Sequence, residues 1–314
     1  MFKALVTILF TLNPLVGLFI TGANAPQDAS LSGAPLFNVE QNYKLPVINE
    51  ASIFLAARQL PLMPWRNWNV ADPQIEATTS LVYDTFHRQV LWQKNDIYQA
   101  RSIASLTKLM TALVVMEQAK LDTNFKISEQ AVATPGETGN LRVGEEMSVK
   151  NLLTAALVSS SNDAAAALAT NVSLEFVYLM NKKAQALGLK NTSFFDPSGL
   201  NPNNRSSAWD LIKIMQEALK HPELQQIMQT ATIDVRSADG KFNHHLENTN
   251  KLLGQVPDIV GGKTGYTAEA GNCMILAVKS PHQGEYNILV VMDAQDRLAA
   301  SATLAKWTRE AFLW

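Results

Sequence analysis

The sequence predicts a single α+β domain whose antiparallel sheet combines strands from both ends of the chain. Strand-like runs occur near residues 80–92 and again after Ile227, and helical segments fill the interval between them. The 314 residues are 47% hydrophobic and 17% charged, which is typical of a globular protein with a sizeable core. The helical segments therefore form a block inserted between the strands of one sheet.

The first 25 residues have the pattern of a secretory signal peptide. A short positive start ends at Lys3, two apolar stretches follow, and Ala23-Asn-Ala25 fits a small-x-small cleavage site. Pro26 is awkward for cleavage at that site, so the cut could lie a few residues away. Because the apolar part is short for a membrane span, we expect export to the periplasm or another extracytoplasmic space. An uncleaved anchor is the alternative; after cleavage we expect no stable membrane anchor.

Residues 26–72 are predicted to be a partly ordered leader or linker before the main domain, residues 73–314. The leader is small and polar at first, and prolines later bracket Trp65 and Trp68. We expect these tryptophans to lie on the main domain. Binding of a partner through them is the alternative, since aromatic side chains are enriched at interfaces.

The elements of the main domain begin with a hairpin, residues 80–92, that turns at Thr85–Arg88. Ser105 then opens a buried helix that continues through Val115. The helical block that follows is predicted at 148–157, 163–169, 174–187 and 209–219, with Ser148 as a cap and 191–202 as a long structured loop.

The C-terminal part is predicted to be mainly strands. These are expected at 232–235, 259–266, 274–278 and 288–292, before a closing helix at 294–313. The strand 288–292 is wholly apolar, which favours a central position in the sheet.

Composition argues against several classes of function. The net charge of −2 and the pI of about 6.2 give no basic surface for nucleic acid. The single cysteine, Cys273, forms no internal disulfide and is predicted to be a small buried strand residue. His244 and His245 are adjacent in a predicted strand and so point to opposite faces, which argues against a metal site. We expect no cofactor.

Ser105 and Lys108 are the first candidate catalytic residues. Helical positions three apart share a face, so a hydroxyl would lie beside an amine. A serine becomes a strong nucleophile when a neighbouring base takes its proton, and a lysine serves as that base if its pKa is lowered. By itself this S-x-x-K pattern has little specificity.

Two later motifs make the pattern specific. Ser160-Ser-Asn162 lies between two helices, and Lys263-Thr264-Gly265 lies on a glycine-flanked strand. S-x-x-K, S-x-N and K-T-G in this order resemble penicillin-binding proteins and serine β-lactamases. From about Pro73 onwards the sequence is similar to low-molecular-mass penicillin-binding proteins of the D-alanyl-D-alanine carboxypeptidase/endopeptidase family. The similar stretches are 102–112, 161–165, 195–200, 248–253 and 262–271.

This resemblance implies a transpeptidase-like fold for 73–314 and a role for each motif residue. Ser105 would attack a D-Ala peptide bond, and Lys108 would take its proton. Ser160 would pass a proton to the leaving amine, and Asn162 would orient the substrate and Lys108. The resemblance also implies substrate binding by Lys263, Thr264, Gly265 and Tyr266. Gly265 would let the substrate lie against its strand, and the N–H groups of Ser105 and Tyr266 would form an oxyanion hole.

A serine β-lactamase is one alternative. Class A β-lactamases use an additional glutamate for deacylation. Pro222-Glu223-Leu224 resembles its local sequence but lies too far after Ser160-Ser-Asn162, so Glu223 is predicted to be a first-turn helix residue. We therefore favour a slowly deacylating DD-peptidase with β-lactams as covalent inhibitors. An exported, non-catalytic protein that binds peptidoglycan or another partner is the remaining alternative.

The expected substrate is a D-Ala-containing peptidoglycan peptide. The resemblance implies a short form that lacks the C-terminal β domain and the amphipathic membrane helix of many carboxypeptidases. Residues 269–276 and 290–294 look most similar to the short endopeptidases, which cut D-Ala–diaminopimelate cross-links. Endopeptidase activity is thus favoured, with carboxypeptidase activity as the alternative.

Overall fold

The computed structural model describes residues 64–136 and 139–314. The predicted signal peptide, its cleavage site and the leader up to residue 63 lie outside the described residues. In the described part, no helix is both long and apolar enough to cross a membrane.

Helices predominate in the middle of the described chain, and strands predominate toward its two ends. The strands are β1 (Trp65–Arg66), β2 (Ala77–Asp84), β3 (Gln89–Lys94), β4 (Arg101–Ser102), β5 (Asn124–Lys126), β6 (Glu146–Ser148), β7 (Arg205–Ser206), β8 (Thr232–Arg236), β9 (Asn243–Glu247), β10 (Ile259–Thr267), β11 (Gly271–Lys279), β12 (Tyr286–Ala294) and β13 (Phe312–Leu313). The helices are α1 (Thr107–Gln118), α2 (Glu129–Val132), α3 (Val149–Val158), α4 (Asn162–Val172), α5 (Phe176–Ala186), α6 (Ala208–Ala218), α7 (Pro222–Gln229) and α8 (Arg297–Glu310). A short 3₁₀ turn, Ala104–Leu106, precedes α1.

The main sheet has five antiparallel strands in the order β10-β11-β12-β2-β3. The predicted α+β class, the sheet shared between the two ends of the chain and the N-terminal hairpin are confirmed. The strand β12 is central, as its apolar sequence predicted. A strand with neighbours on both sides and both faces covered has no place for a charged side chain, and Ile288–Met292 is fully buried.

The sheet separates two apolar layers. Leu81 and Val82 are both fully buried, yet Leu81 packs with the helical block and Val82 packs with α8. Successive strand side chains point to opposite faces, so β2 contributes to both layers. The first layer includes Leu109, Leu113 and other residues of α1. Burial of this layer fixes α1, and with it the start of that helix, against the sheet.

Side-chain caps fix where several helices begin. Ser148 accepts a hydrogen bond from the N–H of Asn151 at the start of α3, which confirms the predicted cap. Ser161 caps α4 through the N–H of Ala164, and Ser207 caps α6. Each such cap stabilises a helix by about 1 kcal/mol. The cap at Ser161 matters most for function, because it sets the first turn that carries Asn162.

Three features differ from the predictions. The closing helix ends at Glu310, and the next residues form β13, which pairs with β1. The prediction that the two tryptophans lie on the main domain is wrong, because Trp65 and Trp68 are 76% and 84% exposed. Two short antiparallel pairs, β4 with β7 and β5 with β6, were not predicted.

Candidate active site

The predicted motif residues come together between α1, α4 and β10. Lys108 lies in the first turn of α1, directly after the 3₁₀ turn that carries Ser105. Asn162 begins α4, and Lys263 lies in the middle of β10. The side chains of Lys108 and Lys263 are both almost fully buried. The site thus has two buried amines, which is costly unless each finds polar partners.

The Nζ atom of Lys108 has three polar neighbours. It lies 2.8 Å from Ser105 Oγ, 2.7 Å from Asn162 Oδ1 and 2.8 Å from the Ser198 carbonyl oxygen. The Asn162 amide is oriented by its Nδ2 group, which donates to the Pro135 carbonyl at 2.8 Å. Asn162 Oδ1 therefore faces Lys108 as an acceptor.

The three oxygens around Lys108 Nζ can accept from all three N–H groups of an ammonium, and they also suit a neutral amine. A neutral amine has two N–H donors and one lone pair. The two donors match the Asn162 and Ser198 oxygens, which can only accept. The lone pair is then left for the O–H group of Ser105. The geometry thus places the Lys108 amine within hydrogen-bond distance of the Ser105 hydroxyl.

Ser160 and Lys263 form a second hydroxyl–amine pair. Lys263 Nζ lies 2.9 Å from Ser160 Oγ and donates to the Thr264 carbonyl at 2.9 Å. Ser160 has a φ of +62°, a left-handed conformation that costs a non-glycine residue about 1–2 kcal/mol. The chain maintains this conformation at the junction of α3 and α4. Ser160 of the S-x-N motif and Lys263 of the K-T-G motif are therefore joined by a hydrogen bond.

Two glycines allow close packing around the Ser105 turn. A Cβ at Gly199, whose φ is +94°, would lie 2.0 Å from the Ala104 carbonyl oxygen. A Cβ at Gly265 would lie 2.9 Å from the Ile103 carbonyl oxygen and 3.1 Å from the Ser105 nitrogen. The prediction for Gly265 named a collision with the substrate. In the structure, a side chain there would also collide with the turn that carries Ser105.

The remaining motif residues line or support an open pocket. The pocket has a volume of about 430 Å³ and is lined by Ser105, Gly136, Asn162, Gly199, Leu200, Tyr266 and Thr267. Tyr266 lies on its rim and is 63% exposed. Thr264 is buried, and its hydroxyl lies 2.6 Å from that of Thr249.

Three contributing residues were not predicted: Ser198, Thr249 and Arg297. Arg297 donates to the Gly265 carbonyl at 2.9 Å and so supports β10. Ser198 and Thr249 lie in stretches that resemble the family but had no assigned role. Ser198 contacts Lys108 through its backbone carbonyl, and the identity of a side chain does not indicate what a backbone carbonyl binds. The resemblance of both stretches was the available clue.

A family model for D-alanyl-D-alanine carboxypeptidases (peptidase S11) matches residues 67–296. The chain belongs to this family. It is therefore a serine hydrolase of the D-alanyl-D-alanine carboxypeptidase and endopeptidase type.

Named relatives include both types of enzyme. A D-alanyl-D-alanine carboxypeptidase of Bacillus subtilis is 36% identical over 76% of this chain, which spans 62% of that protein. A D-alanyl-D-alanine endopeptidase of Pseudomonas aeruginosa is 35% identical over 74% of this chain and 77% of its own length. The Streptomyces K15 DD-transpeptidase structure superimposes with a TM-score of 0.70 at 28% identity, covering 76% of this chain and 98% of that one. These similarities confirm the predicted fold.

Glu223 and Cys273, which lie outside the site, occupy structural positions in a helix and a strand. Glu223 lies in the first turn of α7, as predicted. Cys273 is buried as predicted, and burial raises the pKa of its thiol to about 11, so it is not a nucleophile near neutral pH. Within the described ranges, no cluster of His, Cys, Asp and Glu could hold a metal ion.

Proposed function

We propose that this family member opens D-Ala peptide bonds of peptidoglycan stem peptides through an acyl-enzyme on Ser105. The observation that carries the proposal is the set of partners around Lys108 Nζ. When this amine is neutral, the Asn162 and Ser198 oxygens can take its two N–H groups, and its lone pair can face the hydroxyl 2.8 Å away. A nucleophile and a base within hydrogen-bond reach are the signature of covalent catalysis.

In the proposed acylation step, Ser105 Oγ attacks the D-Ala carbonyl carbon while Lys108 takes the hydroxyl proton. The negative charge on the tetrahedral oxygen is stabilised by the N–H groups of Ser105 and Tyr266. The C–N bond then breaks, and the leaving amine receives a proton through Ser160. The contact of Ser160 with Lys263 supports this role. The product is an ester on Ser105 and a free amine.

Lys263 and Thr264 are proposed to hold the terminal carboxylate of the substrate or groups next to it. Gly265 and Tyr266 are proposed to bind its backbone along β10. Water then attacks the ester, the reverse proton transfers occur, and Ser105 is restored. Glu223 has a local sequence that superficially resembles that of the deacylating glutamate of class A β-lactamases. It lies in the first turn of α7, after α6. Deacylation should therefore be slow.

Labelled penicillin tests the acyl-enzyme. We expect the protein to retain the label for minutes or longer and the Ser105→Ala variant to take up none. Mass spectrometry of a proteolytic digest should place the adduct on Ser105. Rapid turnover of the penicillin would instead favour a β-lactamase. No labelling of a folded protein would favour a non-catalytic binding protein.

We further propose that cross-linked stem peptides are the preferred substrate. The endopeptidase of Pseudomonas aeruginosa and a second one of Escherichia coli, 33% identical over 71% of this chain, support this preference. The proposed location is extracytoplasmic, where such peptides occur. Incubation with cross-linked dimeric muropeptide and with a pentapeptide monomer separates the two activities. We expect cleavage of the dimer; cleavage of the monomer alone would exclude the preference.

A further inference from the structure

His244 is a buried histidine that the proposed reaction does not use. It lies on β9 and is 6% exposed. Its Nε2 atom lies 2.6 Å from Glu145 Oε1, and its Nδ1 atom lies 3.0 Å from the Gly139 carbonyl oxygen. The neighbouring His245 points to the other face and is exposed.

The two contacts of His244 constrain its protons. A carbonyl oxygen can only accept, so Nδ1 must carry a proton to bond Gly139. A second proton forms the hydrogen bond between Nε2 and the Glu145 carboxyl group, and either group can carry it. The ring therefore acts as a fixed donor to the backbone at Gly139, and Glu145 holds the ring in that orientation.

Gly139 links His244 to the start of α4. The Gly139 N–H donates to Asp163 Oδ1 at 2.8 Å, and the Leu141 N–H donates to the other oxygen at 3.2 Å. Space at this point is short, because a Cβ at Gly139 would lie 2.9 Å from Ser161 Oγ. Gly139 is thus held by His244 at its carbonyl and by Asp163 at its N–H group.

Asp163 is adjacent in sequence to Asn162, whose amide contacts Lys108. We propose that His244 is a positioning residue for acylation: by holding Gly139 against Asp163 it fixes the first turn of α4 and keeps Asn162 Oδ1 on the Lys108 amine. This inference rests on the proposed function. It predicts that loss of the Nδ1 donor slows the acylation step without preventing penicillin from binding.

Two substitutions separate the contacts of His244. In His244→Asn, the amide N–H can take the place of Nδ1 and keep the bond to Gly139. In His244→Gln, the amide reaches the position of Nε2 and keeps the contact with Glu145 but loses Gly139. The acylation rate constant and the penicillin dissociation constant are obtained from labelling rates at several concentrations. His245→Asn is the matched control on the exposed neighbour.

We expect His244→Gln to lower the acylation rate constant about tenfold, in line with a lost buried hydrogen bond, with little change in the dissociation constant. His244→Asn and His245→Asn should stay within about threefold of the wild type. If His244 served only to neutralise Glu145, acylation would be slower in His244→Asn than in His244→Gln. That order, or equal rates for both, would overturn the proposal.

Folding is checked by thermal unfolding of every variant. His244→Asn removes the contact of Glu145 Oε1 and leaves the bond from the Arg142 N–H to Oε2, so the double variant His244→Asn/Glu145→Gln replaces the buried carboxyl group. If the single variant does not fold, this double variant is compared with His244→Gln/Glu145→Gln, and the same order of rates is expected. Failure of the wild type to acylate would count against the proposed function itself, since His244 is unchanged there.

Discussion

The two ends of α1 contact lysines in opposite electrostatic settings. At its start, Lys108 is buried among a hydroxyl, an amide oxygen and a backbone carbonyl. Near its end, Glu117 binds Lys183 at 2.6 Å, and Lys183 also lies 3.1 Å from Glu217. Both lysines have several polar partners: Lys108 contacts neutral oxygens, whereas Lys183 contacts carboxylates.

This difference determines what each lysine can do. Burial opposes the charge of Lys183, but its hydrogen bonds to Glu117 and Glu217 outweigh burial and raise its pKa. Lys183 is therefore a permanent cation that links three helices. Neutral acceptors do not stabilise an ammonium to the same degree.

Removal of the two lysines should give the largest contrast. Lys108→Met should lower the penicillin acylation rate by about 10²–10⁴-fold, because a general base is lost. Lys183→Met should leave that rate within about twofold but lower the melting temperature, since Glu117 and Glu217 each lose their contact with Lys183 while Glu217 keeps Lys220. Acylation kinetics and thermal unfolding measure the two effects. Equal loss of acylation in both folded variants would show that the contrast is wrong.

Asn162→Asp should make the surroundings of Lys108 resemble those of Lys183. The substitution keeps the shape of the side chain and places a carboxylate beside the amine. An adjacent opposite charge favours the ammonium form and so raises the pKa of the lysine. The basic form then appears only at higher pH, so the acidic limb of the acylation profile should move upward. The rate near pH 7 should fall about 10–100-fold and recover as pH rises.

A rate that is low at every pH in Asn162→Asp would show that Asn162 acts on the substrate alone. Asn181→Asp is a matched control, because Asn181 bonds backbone groups at Phe194 rather than a lysine. It should leave the pH profile in place.

The smallest expected effect concerns stability at the Lys183 end. The hydrogen bond from Lys220, together with that from Lys183, lowers the pKa of Glu217 below 4.5. Its contribution is therefore present above pH 4.5 and is lost as pH falls through the lowered value. Glu217→Gln should cost up to about 1 kcal/mol near pH 7 and nothing once the carboxyl is protonated. Denaturant unfolding near pH 7, and at a pH where the Glu217 carboxyl is protonated, measures this difference in the free energy of unfolding. An equal cost under the two conditions would contradict the prediction.

The sequence was sufficient for the features that depend on pattern. The apolar run of β12 predicted a central strand, and the spacing of Ser105 and Lys108 predicted adjacent side chains. The motifs then specified which distant elements should meet. Each of these depends on side-chain identity at short spacing, which one chain displays directly.

Other parts of the site could not be predicted because they involve the backbone or distant partners. The Ser198 carbonyl at Lys108 has no side-chain signature. The close approach of Gly265 to the Ser105 turn could not be predicted, because the Ile103 carbonyl beside it is not near in sequence. The pairs β4–β7 and β5–β6 are two or three residues long, which is too short for an alternating pattern.

The pairing of β2 with β12 also bears on how the molecule folds. It joins Asp84 to Asn287, roughly 200 residues apart, so a large loop must close before the sheet is complete. The helices and the β10–β12 meander contain mainly local contacts and can form earlier. Ser105 precedes this loop's helices and Lys263 lies near its far end. We therefore expect the contact between Ser160 and Lys263 to form only once the helical block and β10 have come together.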